Sequence, residues 1–241
     1  MRNLLLSLLL AAAAAKATSL GLTPVNDGRG TIGNPAVFSV IDGSFNLDMN
    51  GMVDIVLHFD YAQPGWGGPS SDLKGYNYAG VNLNVGDLLF QVGGDLYGIP
   101  LTSHSGAPNG GNTSLFASVL KGHIYETTNY LTTNQVLNNP SADYRKNTPV
   151  WLGATVTDLG TLTEKVTHTG NTYTVEFTGK LSDSLAAAIQ THGLKVEFGS
   201  ATCANGYLVG ELGSPVPEPA SMALMGSGLL ALGLAARRKR R

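Results

Sequence analysis

Apolar and polar positions alternate with a period of two along much of the chain. The run Met52 to Tyr61 shows it best: Val53, Ile55, Leu57, Phe59 and Tyr61 fall on one side, and Asp54, Val56, His58 and Asp60 on the other. The same reading predicts strands over 36–41, 44–49, 81–85, 87–92, 96–102, 114–120, 122–128, 149–157, 161–168, 172–179, 194–200 and 206–212. Gly, Asn or Pro separates most of them; Asn50-Gly51 is a strong hairpin signal and Gly170-Asn171 a second. One segment has helical character, capped by Ser182 or Asp183, running through Leu185 to Gln190 and stopped by Gly193. Many short strands with one short helix predict an all-β fold, an antiparallel β-sandwich of jelly-roll type, with a barrel as the main alternative. No period of 20–50 residues repeats, which argues against a solenoid or propeller. Three segments, 62–80, 103–113 and 138–148, read as long loops.

The two ends break this pattern. Residues 4–15 are apolar except for Ser7, follow Arg2, and lead into Ala15-Lys16-Ala17. That is the plan of a secretory signal peptide, 1–17, cut by signal peptidase after Ala17. At the other end Pro217-Glu218-Pro219 precedes Ala220 to Ala236, 17 residues without a charge, and then Arg237-Arg238-Lys239-Arg240-Arg241. Seventeen residues rise about 25 Å as a helix, enough for a thin hydrocarbon layer. The basic end acts as a stop-transfer signal that stays in the cytoplasm. Both ends therefore place the body, 18–214, outside the inner membrane.

The tail 215–241 resembles the PEP-CTERM sorting signal of exported Gram-negative proteins, through Val216-Pro217-Glu218-Pro219-Ala220-Ser221, the short apolar helix and the basic terminus. The resemblance implies exosortase as a partner. This membrane protease cuts near the Pro-Glu-Pro and passes the protein on to the cell surface or an exopolysaccharide matrix. The same type of tail is also labelled an ice-binding protein C-terminal domain, a label that concerns the tail alone. In the body, Gly86-Asp87-Leu88-Leu89-Phe90, Tyr97-Gly98-Ile99-Pro100-Leu101, Gly122-His123-Ile124-Tyr125, Pro149-Val150-Trp151 and Ala201-Thr202-Cys203-Ala204-Asn205 resemble the bodies of other PEP-CTERM proteins. Those often carry Asp where Gly206 stands here.

Composition sharpens this picture. Gly supplies 31 of 241 residues and charged residues only 13%, which excludes a coiled coil. The single cysteine, Cys203, excludes an internal disulfide framework and Cys-rich metal sites, and reads as a small buried residue. Formal net charge is −2, but seven of the 15 basic residues lie in the two ends, while all 17 acidic residues lie in 18–219. The mature body is therefore acidic, which disfavours nucleic acid and repels acidic polysaccharide unless divalent cations bridge the two.

Candidate chemistry is sparse, and the expectation is of no enzyme and no cofactor. Asn46, Asp48, Asn50 and Asp54 partly fit a calcium loop, although Leu57 stands where the twelfth-position Glu belongs; a plain hairpin explains the same residues. Asp54, His58 and Asp60 share a polar strand face that would suit a metal or acid–base chemistry, or simply solvent. His104, His123, His168 and His192 form no ligand spacing, and no nucleophile, zinc or phosphate-loop motif occurs. Trp66, Tyr76 and Tyr78 would offer an aromatic platform to sugar rings. Thr-x-Thr pairs at 155/157, 161/163, 167/169 and 172/174 reflect strand propensity; an ice-matching array needs more repeats on one unbroken face. The leading expectation is a non-catalytic surface or matrix protein; the alternative is a carbohydrate-binding module, with or without calcium.

Overall fold

The computed structural model describes residues 17–25, 38–61, 76–78, 81–83, 85–105, 117–136, 147–199 and 206–213. The elements follow in chain order. The first half holds β1 (Thr18–Pro24), β2 (Phe38–Leu47), β3 (Met52–Tyr61), β4 (Tyr76–Tyr78), β5 (Val81–Leu83), β6 (Leu88–Val92), β7 (Asp95–Ile99), β8 (His104–Ser105) and β9 (Ser118–Val119). The second half holds β10 (His123–Thr127), β11 (Tyr130–Thr132), α1 (Thr133–Val136), β12 (Pro149–Leu152), β13 (Val156–Thr161), β14 (Thr163–Thr169), β15 (Thr172–Lys180), α2 (Asp183–His192), β16 (Leu194–Gly199) and β17 (Tyr207–Leu212).

Eleven strands form one antiparallel sheet in the order β13-β10-β7-β6-β16-β17-β1-β2-β3-β15-β14. The all-β antiparallel fold read from the sequence is the fold that forms. The sheet bends back on itself, so the sandwich is also a nearly closed barrel. One bend is β1, which pairs with β2 through Thr18–Leu22 and with β17 through Thr23 and Pro24. The other is Leu162, the single residue between the two edge strands β13 and β14; it is buried, and its N–H donates to the Gly122 carbonyl at 2.8 Å.

The core lies between the two halves. Alternation along β3 sends Val53, Ile55, Leu57, Phe59 and Tyr61 inward, all 2% exposed or less. Phe59 meets Phe198 of β16 at 5.4 Å between ring centroids, and Phe45 of β2 meets Phe90 of β6 at 6.0 Å, so aromatic pairs cross from one half to the other. Each fully buried ring of this kind stabilises the fold by about 1.5–3 kcal/mol. One end of the sandwich is closed by α2, whose Leu185, Ala186 and Ile189 are buried in the same core. Ser182 caps this helix by accepting from the Leu185 N–H, and Gly193 ends it at φ +79° while donating to the Ile189 carbonyl.

Several boundaries differ from the sequence reading. Segments 36–41 and 44–49 merge into one strand, β2, over Phe38–Leu47; 36–37 lie outside the described residues and 48–49 belong to the turn. Asp42-Gly43 looks like a turn but lies at a register shift, where a Cβ on Gly43 would stand 2.7 Å from the Val56 carbonyl oxygen. Segment 149–157 splits into β12 and β13, and β14 starts only at Thr163. β1, β4, β8 and β11 are not among the expected strands, β4 and β8 falling within the segments 62–80 and 103–113 read as loops, and a single helical turn, α1, accompanies the expected helix.

The outer faces of the two halves differ. Over β6, β7 and β10 lies a second apolar cluster of Leu89, Ala117, Val119, Tyr125 and Leu152, packed under β9, β11 and β12. The outer face of β14, β15, β3 and β2 is polar. Register aligns Thr163 with Thr178, Thr167 with Thr174 and Thr169 with Thr172, and the row continues from Thr174 to His58 and from Thr172 to Asp60. The 167/169 and 172/174 threonine pairs thus face each other across one hairpin.

Candidate functional site

The Asn46–Asp54 segment is a hairpin turn. Gly51, at φ +79°, supplies the left-handed residue, and its N–H donates to the Asp48 carbonyl. The Asp48 carboxylate accepts from the backbone N–H groups of Met52 at 2.7 Å and Asn50 at 2.8 Å, and from the Asn50 side-chain amide at 3.3 Å. The Met52 N–H, helped by both Asn50 donors, holds the Asp48 carboxyl below its ordinary value. Asn46 accepts from the Ser19 hydroxyl at 2.7 Å and stands opposite Asp54 in the β2–β3 ladder. Both Asp48 oxygens thus serve the turn rather than pointing with Asn46 and Asp54 at a common centre.

The polar face of β3 distributes its groups in the same way. His58 Nδ1 lies 2.5 Å from Asp42 Oδ1, and Asp60 accepts from the Thr172 hydroxyl at 2.6 Å. Each side chain has a different neighbour. Among the described residues, no three His, Cys, Asp or Glu side chains gather as a metal site. Trp66, Cys203, Pro217, Glu218, Pro219 and Arg237 to Arg241 lie outside the described residues; Tyr76 and Tyr78 occupy alternate positions of β4.

The structure assembles one polar centre that the sequence reading did not single out. Asp87, 1% exposed, sits just before β6. Its Oδ2 accepts from the Leu152 N–H at 2.9 Å, its Oδ1 lies 3.1 Å from His104 Nε2, and its own N–H donates to the Val150 carbonyl at 3.0 Å. The His104 ring stacks on Trp151, centroids 4.2 Å apart and planes within 7°. An ionised Asp87 fixes the histidine proton on Nε2, which leaves Nδ1 as acceptor in the neutral ring. Nδ1 is buried and has no hydrogen-bond partner among the described residues. Gly86 makes the close approach: a Cβ there would meet the Gly199 carbonyl oxygen at 2.3 Å and that of Val150 at 2.9 Å.

This centre ties β6, β8 and β12 together through one buried carboxylate. A sequence signal for it exists: a lone Asp directly before the apolar run Leu88-Leu89-Phe90, where an exposed acid is out of place. Close by in the sheet, Gly206 packs against β2; a Cβ there would lie 2.6 Å from the Val40 nitrogen, so an Asp at this position has no room without movement.

Residues 215–241 match the family model of the PEP-CTERM protein-sorting motif. The motif implies an exported, membrane-transiting chain processed by exosortase. No curated protein and no solved structure matches the chain. Among the described residues no helix is long and apolar enough to cross a membrane; 220–236, read as the spanning helix, lies outside them.

Proposed function

We propose that the β body, once exosortase has removed the tail, acts without catalysis as a display or structural element at the cell surface or in an exopolysaccharide matrix. The sorting motif at 215–241 carries this reading. The body is consistent with it: His58–Asp42 and His123–Asp158 are pairwise ties within the sheet, and His104–Asp87 ties the outer layer to it. Intact mass measured fraction by fraction from the producing cells tests it. The expected species starts near Thr18, ends near Pro219 and lies outside the inner membrane. A species keeping Arg237 to Arg241 in the inner membrane overturns the processing step. Deletion of the chain is expected to weaken matrix cohesion.

A second reading is carbohydrate binding through Trp66, Tyr76 and Tyr78. The β4–β5 ribbon favours it by setting Tyr76 and Tyr78 two residues apart on one strand. It predicts saturable retention on a defined polysaccharide that is lost in Trp66→Ala.

A further inference from the structure

Both junctions with membrane-directed segments leave the body at one end. Thr18, the first residue after the expected signal-peptide cut, pairs with Leu47 beside the β2–β3 turn. Leu212, the last strand residue before the sorting tail, pairs with Leu194 at the start of β16. α2 bridges these places: the Leu181 N–H donates to the Gly51 carbonyl at 2.9 Å on one side, and His192 packs against Gly93 in the β6–β7 turn on the other. The Gly170–Asn171 turn lies at the far end of β15.

Length makes this arrangement consequential. Seven residues, Gly213 to Pro219, separate Leu212 from the apolar stretch that begins at Ala220. Fully extended they reach about 25 Å. The ten residues of β3 span about 33 Å. The tether is therefore too short for the sandwich to stand on its far end, with Leu212 a full strand length above the membrane, while the tail is inserted.

The surface chemistry at this end agrees. The large apolar side chains exposed among the described residues are Ile41, Met49, Met52 and Leu120, and two of these, Met49 at 65% and Met52 at 47%, flank the β2–β3 turn. The carboxylate just before them, Asp48, is occupied by the turn's own N–H groups. Among the described residues at this end Lys180 is paired with Asp183 and Lys195 with Glu197, which leaves the exposed methionines rather than a free basic patch to meet the lipid.

We propose that in the tail-bearing precursor the α2-capped end, led by Met49 and Met52, rests on the lipid headgroup layer with the Gly170–Asn171 turn directed outward, and that cutting the tail releases it. This rests on the sorting-tail reading above. The test uses the full tail-bearing chain made without exosortase, with Cys203→Ser and a single fluorescent label at Asn50→Cys or Asn171→Cys. It is reconstituted in phosphatidylethanolamine–phosphatidylglycerol vesicles carrying a headgroup nitroxide lipid. Given a sheet about 33 Å long, quenching is expected to be about threefold or more stronger at 50 than at 171. Chain ending at Pro219 is expected not to float with the vesicles. Equal quenching, or stronger quenching at 171, overturns the orientation while leaving the anchor intact. A full chain that does not float overturns the anchor itself and the orientation with it. Should Cys203→Ser lower the melting temperature, Cys203 stays and each label is read against the parent chain.

Discussion

The outer face of β2, β3, β14 and β15 meets solvent directly, whereas the outer face of β6, β7 and β10 lies under a second layer of chain. Both faces carry an Asp–His tie. On the open face His58 and Asp42 are 38% and 60% exposed, and water solvates either partner if the other is lost. Under the cover His104 and Asp87 are 10% and 1% exposed, and nothing replaces a missing partner. The same pair of residue types is thus nearly neutral in one place and decisive in the other. The second layer is itself thin: Leu89, Ala117, Val119, Tyr125 and Leu152 supply its apolar contacts, and the Tyr130 hydroxyl clamps it to the sheet, its one proton shared between the Phe90 and Tyr97 carbonyls at 2.6 and 2.7 Å while its oxygen accepts from the Tyr97 N–H. Burial pushes that phenol's pKa up, which keeps it a donor.

The largest effect should come from Asp87→Ala. It leaves the Leu152 N–H and the His104 ring buried without their acceptor, at a cost of about 3–5 kcal/mol. Urea denaturation of the body measures it, and Asp42→Ala on the open face is the control, with an expected loss of about 1 kcal/mol or less. Equal losses would mean that the cover does not isolate its polar centre. Leu152→Ala should follow at about 2–4 kcal/mol, because it empties the contact with Leu89 and Gly98 beneath the cover. Leu152→Met, which keeps the volume, should lose about 1.5 kcal/mol or less and so separate packing from mere substitution.

These contrasts mark where the sequence was legible. β3 can be read because each inward residue is apolar and each outward one except Met52 and Val56 is polar. α2 could be read because Ser182 and Gly193 are local signals that act within one turn. The Asn50-Gly51 hairpin was equally local. β1 escapes the sequence pattern because it is a corner strand whose partners, β2 and β17, lie at opposite ends of the chain. β2 reads as two strands because a glycine admitting a close approach looks the same, in sequence, as a glycine admitting a turn. The Asp87 centre escaped for a related reason: its three segments are brought together only by the outer layer, and no spacing between residues 87, 104 and 151 encodes that. The calcium pattern is the converse case, in which local residue types fit a loop while the geometry puts Asp48 to work in a turn.

A smaller effect should distinguish the threonine rows from the helix cap at the closed end. Ser182→Ala removes the acceptor for the Leu185 N–H and should cost about 1 kcal/mol. Thr174→Ala, in the row Thr167–Thr174–His58, should cost about 0.2–1 kcal/mol. A Thr174→Ala loss well above that range would mean that the open face is held by its side chains as a unit and not by the strands beneath.

The smallest effect is one of pH, and each half supplies one group. Asp48 on the β2–β3 turn is held low by the Met52 N–H. At Asp158 of β13, burial pushes the carboxyl up, but the Gly160 N–H and His123 outweigh it and the net shift is downward. Both therefore titrate in the fold below their ordinary 3.8, and as pH falls the unfolded chain takes up the proton first. Their stabilisation is complete above about 3.8 and is lost as pH drops through the folded values. Asp158→Asn and Asp48→Asn should each lower the melting temperature slightly at pH 7 and flatten its fall toward acid. Asp158→Asn should do more, because the His123 ring 2.7 Å away loses a charged partner, whereas an Asn at 48 still accepts from the Met52 N–H. The reverse order would show that the open-face turn, and not the covered half, sets the acid limit of the fold.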